Sequence, residues 1–536
     1  MTLLSTRDLS VSINGTPILD RVSFDVAEGE VFGLVGESGS GKSMTALALM
    51  QLLPHGARAT GAVQMGGRDL LALPERQMCA LRGREIGMIF QEPMTALNPV
   101  QTIGAQVAET LVIHGAASRS VARAQARHHL DRVGLADIPL GRFPHELSGG
   151  QRQRVCIAMA VALRPKLLIA DEPTTALDVT TQAQILDLLR DLVAQERMAL
   201  MLITHDLAVV AGIATHTAVM QAGRIVEAGP TEVLFRQRAH SYTRRLFAAS
   251  AHVPQRAPTA SATPLLHVEN ATRDYQLPRA TPFAAPGHHR AVNAVSFTLN
   301  EGESLGLVGE SGSGKSTLAR AILGLDVLQG GTIQLGGEAV TAGHHMHATM
   351  RAKMQVVFQD PYGSFNPRHH VARLIAEPFH LLPKPPTDGA ARINEALTAV
   401  GLTPDDANKF IHEFSGGQRQ RIAIARALII RPKLIVLDEA VSALDVRVRA
   451  QILDLLASLQ ASHGLAYLFI THDLSVLRAI TDRVLVMRAG EIVETGATAQ
   501  VLNAPQHPYT QSLIAATPRI PEGWFKETTD AAQPLV

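Results

Sequence analysis

Internal repetition on a long period is what most constrains this chain. Lys42 recurs as Lys315, 273 positions on, and Gln91 recurs as Gln359 after 268. Ser148 returns as Ser415, Asp171 as Asp438 and His205 as His472, each after 267. Offsets this steady require two homologous domains and exclude a short-period solenoid. Near the start of each half stands one octapeptide: Gly36-Glu37-Ser38-Gly39-Ser40-Gly41-Lys42-Ser43 and Gly309-Glu310-Ser311-Gly312-Ser313-Gly314-Lys315-Ser316. Both fit G-x-x-x-x-G-K-[ST], a phosphate-cradling loop. The first lies between an apolar strand, Val31 to Val35, and a helix-compatible run, Met44 to Met50. Glycines let successive N–H groups turn inward, and a following helix adds its positive end, so triphosphate oxygens find a nest. Lys42 and Lys315 are expected to reach the β- and γ-phosphates, with Ser43 and Ser316 as Mg²⁺ ligands.

A length of 536 residues suits two to four domains with separate cores. Alternation of apolar strands with helical patterns predicts an α/β core on a largely parallel sheet in each half. Buried strands are expected at Leu167 to Ala170, Ala199 to Ile203, Leu434 to Leu437 and Ala466 to Ile470. Mainly helical stretches, Thr102 to His114, Val121 to Val133, Val371 to Leu381 and Ala390 to Val400, read as inserted helical subdomains. The expected division is 1–247, a flexible linker at 248–264, and 265–536, with helical subdomains at about 93–165 and 361–432. An irregular insertion from Leu277 to Arg290 reads as a loop. Histidine groups such as His344-His345-His347 lack ordered carboxylate or thiolate partners and read as solvated loops.

A net charge of +1 gives no global field to recruit nucleic acid or lipid. Two cysteines, Cys79 and Cys156, build neither a disulfide framework nor a four-thiolate metal site, and Cys156 reads as a core residue. No basic start followed by an apolar core opens the chain, so no signal peptide is expected. No apolar run reaches the roughly 18–20 residues that span a bilayer.

The strands Leu167 to Ala170 and Leu434 to Leu437 each run into two acids, Asp171-Glu172 and Asp438-Glu439. Neighbouring side chains on a strand point apart, so the two acids can take separate tasks. The aspartates suit Mg²⁺, and Glu172 and Glu439 suit a base facing the attacking water. Leu147-Ser148-Gly149-Gly150-Gln151 and Phe414-Ser415-Gly416-Gly417-Gln418 each open an Arg-punctuated helix with exposed backbone donors.

With these elements repeated in order, the chain resembles two ATP-binding-cassette domains fused in tandem. The resemblance covers nearly all of it, through the phosphate loops, Gln91 and Gln359, the signatures, the acid pairs, Ala176-Leu177-Asp178 and Ala443-Leu444-Asp445, and His205 and His472. It implies a RecA-like α/β core with an inserted helical subdomain in each half. It also implies ATP and Mg²⁺ as cofactors, Gln91 and Gln359 among the Mg²⁺ ligands, and His205 and His472 as catalytic switch residues. Two composite sites follow from it: Lys42 with Ser415 to Gln418, and Lys315 with Ser148 to Gln151. Phe90 to Pro99, Phe358 to Pro367, Asp171 to Thr180, and the tails His240-Ser241-Tyr242-Thr243 and His507-Pro508-Tyr509-Thr510 resemble bacterial peptide and nickel importers. The tails are equally compatible with a helix-starting turn that packs a tyrosine. The family usually carries these cassettes on two chains; here they are joined.

Two departures stand out. Tyr275 occupies the family's adenine-stacking position, whereas Ile13 occupies it in the first half. No cysteine follows the tails, so no iron–sulfur cluster is expected. The resemblance implies an ATPase that energises import of peptides or similar solutes at the cytoplasmic face of the bacterial inner membrane. Its partners would be two permease subunits and, indirectly, a solute-binding protein, with no nucleic acid. A tandem cassette acting on the ribosome is the rival reading. Such proteins carry a long charged helical linker, and Ala248 to Pro264 is short and nearly uncharged. A DNA-repair or chromosome-structuring cassette would need zinc ligands or coiled-coil heptads, and neither occurs.

Overall fold

A computed structural model describes residues 1–524 except 176, 257–260, 278–282, 284, 286, 361–362 and 443. The chain divides into two compact units. The first comprises Met1–Leu177, Thr181–Ala251 and the segment from Pro518; the second comprises Asp178–Thr180 and His252–Thr517.

In the first unit the strands are β1 (Thr2–Ile13), β2 (Thr16–Ala27), β3 (Val31–Val35), β4 (Ala57–Met65), β5 (Arg68–Asp69), β6 (Ile86–Ile89), β7 (Leu167–Asp171), β8 (Ala199–Thr204), β9 (His216–Gln221) and β10 (Arg224–Pro230). One six-stranded sheet runs in the order β10-β9-β3-β8-β7-β6, parallel except for its β9–β10 edge. Every residue of β3, β7 and β8 is buried, as expected of central strands covered on both faces. The second unit repeats this with β11 (Pro264–Gln276), β12 (His288–Asn300), β13 (Ser304–Val308), β14 (Gly330–Leu335), β15 (Glu338–Ala339), β16 (Met354–Val357), β17 (Leu434–Asp438), β18 (Ala466–Ile470), β19 (Arg483–Arg488) and β20 (Glu491–Ala497). Its six-stranded order, β16-β17-β18-β13-β19-β20, is that of the first unit read through equivalent strands. The α/β core and the strands expected in it are therefore present in both halves.

Each unit also has a four-stranded antiparallel sheet, β2-β1-β4-β5 and β12-β11-β14-β15. The sequence pattern does not announce these sheets. Left-handed backbone at Asp8 and Arg21, and at Asn270 and Ala294, accompanies register shifts in the long strand pairs. Such bulges break the two-residue alternation by which a half-buried strand is read.

Between β6 and β7 the chain turns helical at Ile103–Ile113 and Arg119–Arg132. Between β16 and β17 the matching helices are Val371–Ala376, continued by a 3-10 turn to Leu381, and Gly389–Ala399. A helix Ser241–Ser250 ends the first cassette, and β11 starts at Pro264. Of the intervening residues, His252 bonds Asp454 at 2.7 Å and Arg256 pairs with Asp482 at 3.1 Å. Residues 257–260 of the linker lie outside the described residues, as do half of the Leu277 to Arg290 insertion and parts of the Ala-Leu-Asp and Phe358 to Pro367 motifs. Cys156 is buried, as its apolar surroundings required, and burial pushes its thiol up to about 12.

Candidate functional site

The phosphate loops leave β3 and β13 at their C-terminal ends and run into helices Lys42–Leu49 and Lys315–Ile322. Both helices begin at the lysine itself, so Lys42-Ser43 and Lys315-Ser316 occupy the first turn, where backbone N–H groups have no intrahelical acceptor. Gly41 and Gly314 precede them at φ of 104° and 105°. A Cβ at Gly314 would stand 2.2 Å from the Ala291 carbonyl oxygen, so conformation and space both demand glycine there. Lys42 Nζ donates to the carbonyls of Gly36 and Glu37, both at 2.8 Å, and Lys315 Nζ repeats this with Gly309 and Glu310. Each ammonium is buried inside its own loop. Desolvation lowers the pKa of Lys315 although Glu439, Asp178 and Asp438 oppose the shift.

β7 delivers Asp171 to this place. Its carboxyl accepts a hydrogen bond from Ser43, and burial, opposed by Ser43, raises its pKa. Asp171 Oδ1 is buried with no hydrogen-bond partner among the described residues. Asp438 is likewise pushed up, to about 6, by burial and then by Glu439. A buried carboxylate oxygen without a donor is costly, and a divalent cation beside a serine hydroxyl would satisfy it. Ser43 with Asp171, and Ser316 with Asp438, thus have the hard oxygen donors that suit Mg²⁺.

Glu172 and Glu439 follow in left-handed backbone, φ 47° and 50°, which costs a non-glycine residue about 1–2 kcal/mol. Their amides are held by the ends of the neighbouring strands, at Ile203 O (2.9 Å) and Ile470 O (2.8 Å). The turn sends the glutamate away from the aspartate. Glu172 accepts from Gln91 Nε2 at 3.0 Å and Thr175 Oγ1 at 2.9 Å, and His205 Nδ1 lies 3.2 Å from its other oxygen. Burial works against its charge, but His205, Thr175 and Lys42 outweigh burial and leave the carboxyl at about 2. Glu439 is also lowered, burial again being outweighed by His472, Lys315 and the bond from Gln359; His472 Nδ1 is 3.3 Å away. Both glutamates are therefore ionised acceptors at neutral pH.

Sequence reasoning missed Thr175. Its counterpart Ser442 bonds the backbone carbonyl of Glu439 at 2.8 Å. The Gln91 amide, assigned to metal from the resemblance, has its nitrogen on Glu172.

Ser148 and Ser415 cap the helices Gly149–Val161 and Gly416–Leu428. Each exchanges bonds with the glutamine three residues on: Ser148 N–H to Gln151 at 2.9 Å and Ser415 N–H to Gln418 at 3.0 Å. The glutamine side chains thus complete capping boxes, so that any anion met at the helix start would face the glycine N–H groups. Gly150 and Gly417 allow close packing, since an added Cβ would come within 2.3 Å of Thr181 and 2.4 Å of Val448. Tyr275, near the end of β11, donates its hydroxyl to Asp326 at 3.0 Å and carries the Arg273 guanidinium 4.6 Å over its ring. Ile13 ends β1, half-buried and paired with Thr16.

Comparison with known proteins gives the same picture from an independent direction. The ABC transporter family matches residues 19–175 and 292–442. The C-terminal region of the oligopeptide/dipeptide transporters matches residues 493–534. The peptidoglycan transport ATP-binding protein YejF of Agrobacterium fabrum is 47% identical over 96% of this chain and 96% of its own length. The glutathione import ATP-binding protein GsiA of Escherichia coli K12 is 47% identical over 93% of this chain and 86% of its own. Nothing in these matches points to the ribosome. A phosphate loop, an acid pair and a histidine gathered twice over, in a chain matched along almost its whole length, leave one conclusion: it belongs to the ABC transporter family of ATPases, as two cassettes fused in tandem with an oligopeptide/dipeptide-type C-terminal region.

Proposed function

We propose that both phosphate loops bind MgATP, that both cassettes hydrolyse it, and that the chain thereby energises a membrane importer of peptides or similar small solutes. The carrying observation is the buried Asp171 oxygen that lacks a donor, beside the Ser43 hydroxyl and next to the ionised Glu172. Ser43, Gln91 and Asp171, with Ser316, Gln359 and Asp438, would hold Mg²⁺, which neutralises charge on the phosphate oxygens when bound. The loop amides of residues 36–43 and 309–316 cradle the phosphates, and Lys42 and Lys315 exchange their loop carbonyls for them. Glu172 and Glu439 accept a hydrogen bond from the attacking water, oriented by His205 and His472. Ser148 to Gln151 and Ser415 to Gln418 contact nucleotide through their helix starts, and Tyr275 stacks on the base.

The cargo class is supported by relatives named for peptidoglycan and glutathione transport and by the oligopeptide/dipeptide C-terminal region. Among the described residues no helix is long and apolar enough to cross a membrane. The proposed partners are two integral permease subunits and, through them, a solute-binding protein, with this chain at the cytoplasmic face of the bacterial inner membrane. Affinity purification of the tagged chain from solubilised membranes tests this. Permease subunits should copurify; recovery with ribosomes and without membrane subunits would overturn it.

A further inference from the structure

The tail motifs take no part in the chemistry described above, yet both units treat them alike. In the first, the Glu227 carboxylate on β10 accepts the N–H groups of Ala239 (2.8 Å) and His240 (3.1 Å). In the second, Glu494 on β20 accepts those of Gln506 (2.8 Å) and His507 (3.1 Å). The histidine Nδ1 then accepts the N–H of the tyrosine two residues on, at 3.2 Å for Tyr242 and 3.1 Å for Tyr509. This caps the helices Ser241–Ser250 and Pro508–Ala515 and fixes where each tyrosine enters the core. Both rings are buried, 0% and 6% exposed.

Their hydroxyls end on the phosphate loops. Tyr242 Oη accepts the backbone N–H of Glu37 at 3.2 Å, and Tyr509 Oη accepts that of Glu310 at 2.9 Å. Glu37 and Glu310 are also the residues whose carbonyls, with those of Gly36 and Gly309, hold the lysine ammonium groups. Each residue is thus gripped twice, by a phenol at its N–H and by the lysine at its carbonyl. A tyrosine retained for packing alone has no need to aim its hydroxyl at a loop amide, and here the arrangement occurs twice.

We propose that Tyr242 and Tyr509 are positioning residues of the two phosphate loops, which makes the helix after each cassette a working part of its nucleotide site. The phenol holds the loop's first turn, and with it the carbonyl on which the lysine waits. This rests on the reading of the loops as ATP sites.

Tyr242→Phe and Tyr509→Phe remove the hydroxyl and keep the ring, so the fold is preserved. In the full chain, each is combined with the lysine substitution at the other loop (Lys315→Ala or Lys42→Ala), so that one site is read at a time. MgATP binding is measured by calorimetry, and KM and kcat by phosphate release. Loss of one neutral hydrogen bond should weaken binding at the affected loop about two- to tenfold and raise KM alike, with kcat changed less. With the lysine substitution placed instead at the tyrosine's own loop, the other loop should keep the affinity it has without the tyrosine change. Unchanged affinity in folded Tyr→Phe variants would overturn the assignment, and so would equal weakening of both loops by one substitution. Should the lysine variants bind ATP like the unaltered chain, the phosphate-loop reading itself falls, and the tyrosine role with it. Should they lose ATP while the tyrosine variants keep it, only the tyrosine role falls.

Discussion

Replacing Glu172 and Glu439 together with glutamine should separate binding from hydrolysis. The geometry at Glu172 shows why. One carboxylate oxygen takes both Gln91 Nε2 (3.0 Å) and Thr175 Oγ1 (2.9 Å), and the other faces His205 Nδ1 (3.2 Å). A glutamine can leave its carbonyl on the two-donor side and turn its NH₂ to His205, whose Nδ1 accepts in the other tautomer. The contacts survive, and only their charge-assisted surplus is lost, about 1–3 kcal/mol of stability for the set. Hydrolysis loses its acceptor for the water proton, worth about 10²- to 10⁴-fold in turnover. ATP affinity, set by the loop amides and lysines, should hold. Phosphate release under saturating MgATP gives the turnover, and calorimetry gives the binding. The double variant should bind ATP and accumulate the ATP-bound form. Turnover within a few-fold of the unaltered chain would remove both glutamates from the role.

The remaining expectations concern asymmetry, burial and assembly. Ile13→Tyr should tighten ATP at the Lys42 loop, and Tyr275→Ala should loosen it at the Lys315 loop, each about five- to tenfold if stacking is worth about 1–1.4 kcal/mol. Equal affinities at the two sites, unmoved by Ile13→Tyr, would make the missing ring irrelevant. A thiol reagent should label the exposed Cys79 in the native chain and reach the buried Cys156 only on unfolding. Burial keeps the Cys156 thiol neutral to about 12 instead of 9.0, so its stabilising effect is intact below the lower value and lost as pH rises to the upper. Cys156→Ala should flatten that alkaline loss in pH-dependent melting, and an unchanged profile would refute it. Mass measurement of the purified transporter should find one copy of this chain per permease pair, and two copies would contradict it.

Much of the site was legible because it is carried by contiguous residues whose neighbours fix its context. An apolar strand, glycines, lysine and serine in a row predict the loop, and β17 and β18 come where unbroken apolar runs place them. The antiparallel sheets were not legible, since bulges at Asp8, Arg21, Asn270 and Ala294 erase the alternation that would reveal β1, β2, β11 and β12. Contacts that exist only once the backbone has folded were hidden for a different reason. Thr175 looks like any turn residue until Glu172 adopts left-handed backbone and points its carboxylate at it. The partner of Tyr242 lies 205 residues away, and nothing local in either segment marks the pair. Gln151 and Gln418 read as nucleotide contacts, yet their side chains are engaged in capping.

The most direct measurement of the central claim is the number of ATP molecules held per chain when hydrolysis is blocked. In the Glu172→Gln, Glu439→Gln double variant, equilibrium binding should give two ATP per chain, falling to one on adding Lys42→Ala or Lys315→Ala and to none with both. A single ATP per chain before any lysine is changed, or two after both are changed, would contradict the account of a chain built on two working phosphate loops.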